Sequence, residues 1–224
     1  MRDQANTPVD LKQEVSGEGL LEAAVSVVTQ PVVTLRIVTQ QRKLGWAIIV
    51  AVVVSLASSL TSAASLTPSG FTGGPNFSLP VDPSVFRVSA LVGAAFLGPL
   101  MGLIALAIVA GIFQLVSMGL GGKGTYVGLF CGLAFASVPS IIGTPFNLLP
   151  LAIGVAGEVL SGLVSVGLFT WTAVLTVIAI REDHQFSTRR ALAAFLIPVV
   201  AIGLLVVILG LLLLAVLIAT VAGA

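Results

Sequence analysis

Charged side chains become rare in this chain after Lys43, and this feature restricts the folds that it can adopt. The first 43 residues hold ten of the nineteen charged side chains, and the following 181 residues hold only nine. Uncharged stretches separate those nine, at 44–81, 88–122, 124–157, 159–180 and 191–224. A membrane-spanning helix needs about 20 mostly apolar residues to cross roughly 30 Å of hydrocarbon. Every stretch is long enough, so the sequence predicts an all-α, polytopic integral membrane protein.

Composition excludes several other classes of protein. The chain is 57% hydrophobic and 8% charged, with a mean hydropathy of +1.15, whereas a soluble domain is about 25% charged. It has no basic stripe of the kind that binds nucleic acid. Cys131 is the single cysteine, which rules out an intrachain disulfide and disfavours a cysteine-based metal site. We expect no cofactor.

Proline, glycine and charge divide the apolar sequence into five predicted spans, at 44–64, 99–120, 126–146, 158–180 and 191–219. Gly98-Pro99 divides a stretch that is too long for one simple span, so we expect 88–98 to be interfacial or re-entrant. We expect 148–157 to be a partly buried connection. The segment 65–87 is rich in proline and glycine and predicts a polar loop.

Lysine and arginine near the span ends predict the orientation. Five spans with a cytoplasmic N-terminus place seven basic residues on one side and only Arg87 on the other. Cytoplasmic loops carry such an excess. The sequence therefore predicts a multi-pass protein of the cell membrane with a cytoplasmic N-terminus and an extracytoplasmic C-terminus.

The N-terminal part, 1–28, is predicted to be a polar tail with a short amphipathic helix, followed by the membrane domain at 29–224. Apolar residues recur on one helical face from Leu20 to Val28, and Pro31 should break or restart the helix. Two interpretations stay open. The helix either docks on the protein's own spans or lies in the membrane interface.

Three segments together resemble a known family. They are TQPVVTLRIVTQQRKLGW at 29–46, GGKGTYVGLFCGLAFASVP at 121–139, and 171–198, whose polar core reads REDHQFSTRRAL. In order and spacing they resemble the Yip (Ypt-interacting protein) family of five-span membrane proteins, over about 29–215. The resemblance implies a helical bundle with a cytoplasmic N-terminus. Eukaryotic relatives bind Rab-type GTPases through a long N-terminal region. The short tail here resembles a prokaryotic-type member, some of which accompany transporters as accessory subunits.

The polar segments between spans offer few candidates for chemistry. Gly121–Gly124 lacks the G-x-x-x-x-G-K-[ST] spacing of a phosphate loop, and a tight turn explains it better. His184 could be a weak metal ligand, but no second histidine supports a site; a solvated loop residue fits better. We expect the cytoplasmic loop contacts to come from five residues: Lys123, Arg181, His184, Arg189 and Arg190. The G-x-S-x-G and H-E-x-x-H patterns are absent, so we expect no enzyme.

Small residues recur every fourth position in three of the predicted spans. They are Gly128, Gly132, Ala136 and Ser140 in the third, Gly98 and Gly102 in the second, and Gly157, Ser161 and Ser165 in the fourth. Small residues at this spacing let helix backbones approach closely in lipid. The seam predicted here packs either within one monomer or against a second membrane subunit.

Glu158 is the one acidic residue inside a long apolar stretch. A carboxylate at mid-bilayer costs at least about 2.5 kcal/mol and should face the bundle or a cavity. It is therefore a candidate ion or proton site, or else a residue at the extracytoplasmic end of its span.

These observations predict a non-enzymatic membrane scaffold, or an accessory subunit of a membrane complex that could contain a transporter. Its expected partners are the lipid bilayer and a membrane protein or second copy of the chain. The alternative is a small transporter or channel component, in which Glu158 and the helix breaks around Pro99, Pro139 and Pro145 line a path.

Overall fold

The computed structural model describes residues 19–66 and 82–222, and these form helices without any strand. The helices are α1 (Leu20–Thr29), α2 (Pro31–Gln41), α3 (Leu44–Ser65), α4 (Pro83–Gly119), α5 (Tyr126–Ala136), α6 (Ser140–Gly143), α7 (Leu149–Ile153), α8 (Val155–His184) and α9 (Thr188–Ala222), with a 3₁₀ turn at Phe146–Leu148. Five helical segments are long and apolar enough to cross a membrane. The all-α fold with five spans is confirmed. The tail at 1–18, most of the predicted loop at 65–87 and residues 223–224 lie outside the described residues.

The amphipathic segment forms α1, and Pro31 starts α2 at its first turn, as predicted. Ala23 and Val27 are buried in the same core as the spans, which favours docking on the protein over a position in the membrane interface. The buried face is rotated from the predicted one, because Ala23 is 2% exposed while Leu21 is 80% exposed.

The predicted division of the second span at Gly98-Pro99 is wrong. Helix α4 runs unbroken through Pro99 from Pro83 to Gly119. Proline cannot donate to the carbonyl four residues earlier, but a membrane helix tolerates it where neighbouring helices provide polar side chains. Here the Ser59 hydroxyl of α3 donates to the Ala94 carbonyl over 3.0 Å, beside the carbonyl that Pro99 leaves without its helical donor.

The third span is shorter and more irregular than the predicted 126–146. Helix α5 ends at Ala136, a turn covers 137–139, and the chain continues through α6, the 3₁₀ turn and α7. Every residue of α5 from Gly128 to Ala136 is buried, so α5 is the central helix of the bundle. The predicted connection at 148–157 contains α7 and a turn at Gly154, whose φ is +55°.

The last two spans extend beyond their predicted limits. Helix α8 continues for one turn past Ile180, as far as His184. Helix α9 packs on the bundle near its start, where Phe195 stacks on Phe113 with ring centroids 5.8 Å apart. Beyond Pro198, its described side chains up to Val216 are exposed.

Candidate functional site

The three segments that carry the family resemblance meet at one end of the bundle. Helix α2, the start of α5 and the end of α8 pack against one another. The turn 121–125, which precedes α5, lies against the last turn of α8. We call this arrangement of turn 121–125, residues 181–186 and α2 the polar end.

Two adjacent side chains of α8 hold the turn in place. The Gly124 amide donates to Nδ1 of His184 over 3.0 Å, and the Thr125 amide donates to Oδ2 of Asp183 over 3.0 Å. On the other side of the turn, the Gly122 amide donates to the Ser117 carbonyl over 2.9 Å. Because these amides already have acceptors, the turn does not present them to a phosphate.

The prediction that His184 is a solvated loop residue is wrong. It is the last residue of α8 and is 2% exposed, because the helix continues past the apolar segment and turns this side chain inward. Its ring stacks on Phe186 with centroids 5.4 Å apart. Since Nδ1 accepts a hydrogen bond, the proton of the neutral imidazole lies on Nε2. Nε2 is buried without a hydrogen-bond partner, and Oδ2 of Asp183 is 3.6 Å away.

Two further buried polar groups face the same turn from α4. Gln114 donates through Nε2 to the Gly124 carbonyl over 3.2 Å. Its Oε1 atom and the Ser117 hydroxyl are buried without hydrogen-bond partners. Buried polar atoms of this kind are usually satisfied by ordered water. The interior of the polar end therefore contains several buried polar side chains.

The outer surface of the polar end carries an ion-pair network. Glu182 accepts from Nε of Arg36 over 2.7 Å and from Arg181 over 2.7 Å. The hydrogen bond to Glu182, together with its charge, raises the pKa of the Arg36 guanidinium. These residues line an open depression of about 420 Å³, together with Gln40, Gln185 and Phe186. The network ties α2 to the end of α8, and the Glu182 side chain at its centre is only 9% exposed.

The basic residues predicted to make loop contacts occupy two kinds of position. Lys123 lies exposed on the turn, and Arg189 and Arg190 are exposed in the first turn of α9. Arg181, in contrast, belongs to α8 and is half-buried beside Glu182, because the helix extends one turn further than predicted.

The small residues predicted as a seam lie where helices cross. A Cβ at Gly132 would be 2.8 Å from Cγ2 of Thr39 and 3.0 Å from Cβ of Ala179. One at Gly128 would be 2.9 Å from the Thr39 carbonyl oxygen and would overlap the Asp183 carboxylate. α5 thus lies close to both α2 and α8.

The other predicted seam residues are spread over α4, α5, α6 and α8. On α8, Gly157 is buried against the Leu149 backbone, whereas Ser161 is half-buried and Ser165 is exposed. Gly98 and Gly102 of α4 lie against Ser59 and Ser55 of α3. Ala136 is buried at the end of α5, and Ser140 belongs to the separate helix α6.

Glu158 lies in the first turn of α8 with an exposed side chain, at the opposite end of that helix from the polar end. The negative charge is favourable there because it faces the positive end of the helix dipole. Glu158 does not line the depression at the polar end.

A family model described as the Yip1 domain matches residues 25–211. This chain belongs to the Yip1 domain family. The match begins within α1 and ends within α9, so it includes the polar end, four of the five candidate membrane spans and most of the fifth. No curated protein and no solved structure matches the chain.

Sequence reasoning missed the residues that assemble the polar end of this Yip1 domain. No role was predicted for Asp183, Thr39, Gln114 or Thr125. The sequence offered two signals, a glycine-rich turn at 121–125 and the Asp183-His184 pair. The residues that form hydrogen bonds between them are 58 and 60 positions apart in the chain. Nothing local to either segment indicates that the two are in contact.

Proposed function

We propose that this Yip1 domain protein is a non-enzymatic membrane scaffold or an accessory subunit of a membrane complex. The observation that supports the proposal is the uncovered part of α9. From Val199 to Val216 the helix carries no charge, and its described side chains are exposed. In lipid, helices associate by close packing and not by the hydrophobic effect. A projecting apolar helix therefore offers a long contact to another membrane helix.

Two glycines locate a possible contact line on this part of α9. Gly203 and Gly210 are seven residues apart, which places them on one face of the helix. Neither has any atom within 4 Å of an added Cβ, so a side chain there would disturb nothing in the chain itself. Small residues on an uncovered face suit close approach by a partner helix.

The side chains of the polar end that could act in catalysis, Asp183 and His184, already hold the turn 121–125 in place. This supports a non-enzymatic role. His184 and Asp183 both accept hydrogen bonds from the backbone of the turn. A general base must reach the proton that it abstracts, and the His184 side chain is buried against Phe186.

We further propose that the polar end faces the cytoplasm and that the protein resides in the cell membrane. Arg36, Lys123, Arg181 and Arg189 lie at or beside that end, whereas Arg87 lies near the start of α4, one span away. Basic residues concentrate on the cytoplasmic side of multi-pass proteins.

Affinity purification of the tagged full chain in mild detergent, followed by mass spectrometry, tests the scaffold proposal. We expect a membrane protein to co-purify in stoichiometric amount from wild type and from Gly167→Leu, and in reduced amount from Gly203→Leu. Gly167 is the matched control because it too has nothing within 4 Å, but it lies on α8. A homo-oligomer that conducts solute in liposomes would favour the transporter alternative instead.

A further inference from the structure

A cleft lined by both hydroxyl-bearing and apolar side chains lies between α3, α8 and the irregular segment 137–154. Its volume is about 320 Å³. It is lined by residues of three chain segments: Ser58 of α3; Ser140, Gly143 and Asn147 of the irregular segment; and Ser165, Leu168, Phe169 and Thr172 of α8. Non-helical backbone at membrane depth is tolerated where it is buried in protein or lines a cavity, and the segment 137–154 fits that condition.

Three of the four hydroxyl groups that line this cleft make no hydrogen bond within the described residues, whereas the fourth, that of Ser140, donates to the Ser137 carbonyl. Serine and threonine in a helix commonly donate to the carbonyl four residues earlier. Thr61 and Ser62 do so in α3, and Thr170 and Thr176 do so in α8, over 2.7–2.9 Å. In the part of the chain that the structure describes, the side chains of Ser58, Ser165 and Thr172 make no such bond and have no other hydrogen-bond partner.

The cleft lies within the membrane-spanning part of the bundle, nearer the end opposite the polar end, since Ser58 precedes the end of α3 at Ser65 by seven residues, or roughly 10 Å. Thr172 precedes the end of α8 by twelve residues, or roughly 18 Å at 1.5 Å per residue. Ser58 follows the start of α3 by fourteen residues, or roughly 21 Å. Hydrocarbon cannot accept or donate hydrogen bonds, so a polar group without a partner at this depth is costly. The three free hydroxyls therefore favour a polar occupant, which is either water or a polar ligand.

The lining restricts the chemistry of that occupant. It contains no charged side chain, and an unpaired charge in this position would be strongly unfavourable, so the occupant is neutral. Leu168 and Phe169 form an apolar wall beside the hydroxyls. The volume is at the small end of the range for ligand sites, which begins at about 300 Å³.

We propose that this cleft binds a neutral hydroxyl-bearing group, in which the ligand hydroxyls bond to Ser165, Thr172 and Ser58. Such a group is either the polar end of a neutral lipid, as in a diacylglycerol, or a free polyol. The assignment goes beyond the scaffold proposal and does not depend on it, because it concerns a different surface from the uncovered part of α9.

The test uses the full chain in phosphatidylcholine nanodiscs with two probes, dioleoylglycerol in the bilayer and glycerol in the buffer. Native mass spectrometry measures the bound fraction of each. The test variant is Ser165→Ala with Thr172→Val, which removes two of the hydroxyls. The control is Thr170→Val, which makes the same change on the same helix at a hydroxyl already bonded to Val166. Thermal unfolding of each variant establishes that it is folded.

One molecule of probe should bind to wild type and to Thr170→Val, and affinity should fall about tenfold in the double variant with the loss of two hydrogen bonds. Binding of dioleoylglycerol that glycerol does not displace assigns the site to a lipid, and binding of glycerol alone assigns it to a free polyol. If neither probe binds, or if the double variant binds as well as Thr170→Val does, the proposal is overturned. A failure of partner capture through α9 would leave this result unaffected.

Discussion

Gly132 lies where α5 crosses both α2 and α8, and its replacement by leucine tests how this bundle packs. The nearest side-chain atoms on α2 and α8 would lie 2.8 and 3.0 Å from a new Cβ. Leucine adds three further carbons, so at least one helix must move. Overpacking costs about 1–3 kcal/mol, at the upper end here because both neighbours belong to helices. The better helix propensity of leucine offsets about 0.8 kcal/mol, which leaves a net destabilisation of about 2 kcal/mol.

Cys131 supplies the assay for this substitution. It is the one cysteine of the chain and is fully buried beside Gly132, so a thiol-reactive fluorophore labels it as the bundle opens. A loss of about 2 kcal/mol should lower the midpoint of thermal unfolding in detergent by roughly 4–8 °C. Gly167→Leu is the matched control, since an added Cβ there meets nothing within 4 Å, and its midpoint should not fall. Circular dichroism provides a second readout that does not depend on the labelled position.

An unchanged midpoint for Gly132→Leu by both readouts would refute this account of the packing. So would an equal fall for Gly167→Leu, because the effect would then follow from leucine in any membrane helix and not from the crossing of α5 with α2 and α8.

Three further experiments test other parts of the structure. His184→Ala should lower stability by about 1–3 kcal/mol in the same labelling assay, because it leaves the buried Gly124 amide without an acceptor, whereas Lys123→Ala on the same turn should be neutral. In a Cys131→Ala background, Lys123→Cys and Arg87→Cys should react with a membrane-impermeant maleimide from opposite faces of the membrane; reaction from one face would contradict the five-span topology. Glu158→Gln should change the unfolding midpoint by no more than the equivalent of about 1 kcal/mol and should leave proton flux in liposomes unaltered, and a flux that wild type shows and the variant lacks would restore Glu158 as a transport site.

The five spans were predictable because the signal is local to each segment. A run of about 20 apolar residues has few alternatives to a membrane helix, and the number of spans needs no knowledge of neighbouring segments. The amphipathic helix and its restart at Pro31 were predictable for the same reason, since both follow from residues within one or two turns.

Whether an internal proline breaks its helix could not be predicted from the local sequence. Pro99 leaves α4 continuous, whereas the chain around Pro139 leaves the helix after Ala136. The difference is tertiary. Ser59 of α3 donates to the Ala94 carbonyl, next to the carbonyl that Pro99 leaves without a donor, and a partner of this kind is not evident from the sequence around the proline. The boundary of α8 was missed for a related reason. Four polar residues after Ile180 resemble a loop, but Glu182, Asp183 and His184 all have partners on other segments, and these contacts stabilise one more helical turn.

The adjacent positions of Asp183 and His184 have a consequence for the whole bundle. Two successive side chains of α8 hold two successive amides of the turn, so a slip of one residue along α8 would break both hydrogen bonds. The Asp183 carboxylate also lies against Gly128, where a Cβ would overlap it, which fixes the distance between α5 and α8 as well as their register. The polar end is therefore specified by several short-range contacts that depend on one another.

The opposite half of the molecule has the irregular segment, the cleft and the uncovered length of α9. Contacts with a ligand or a partner helix would complete that half without requiring the polar end to rearrange.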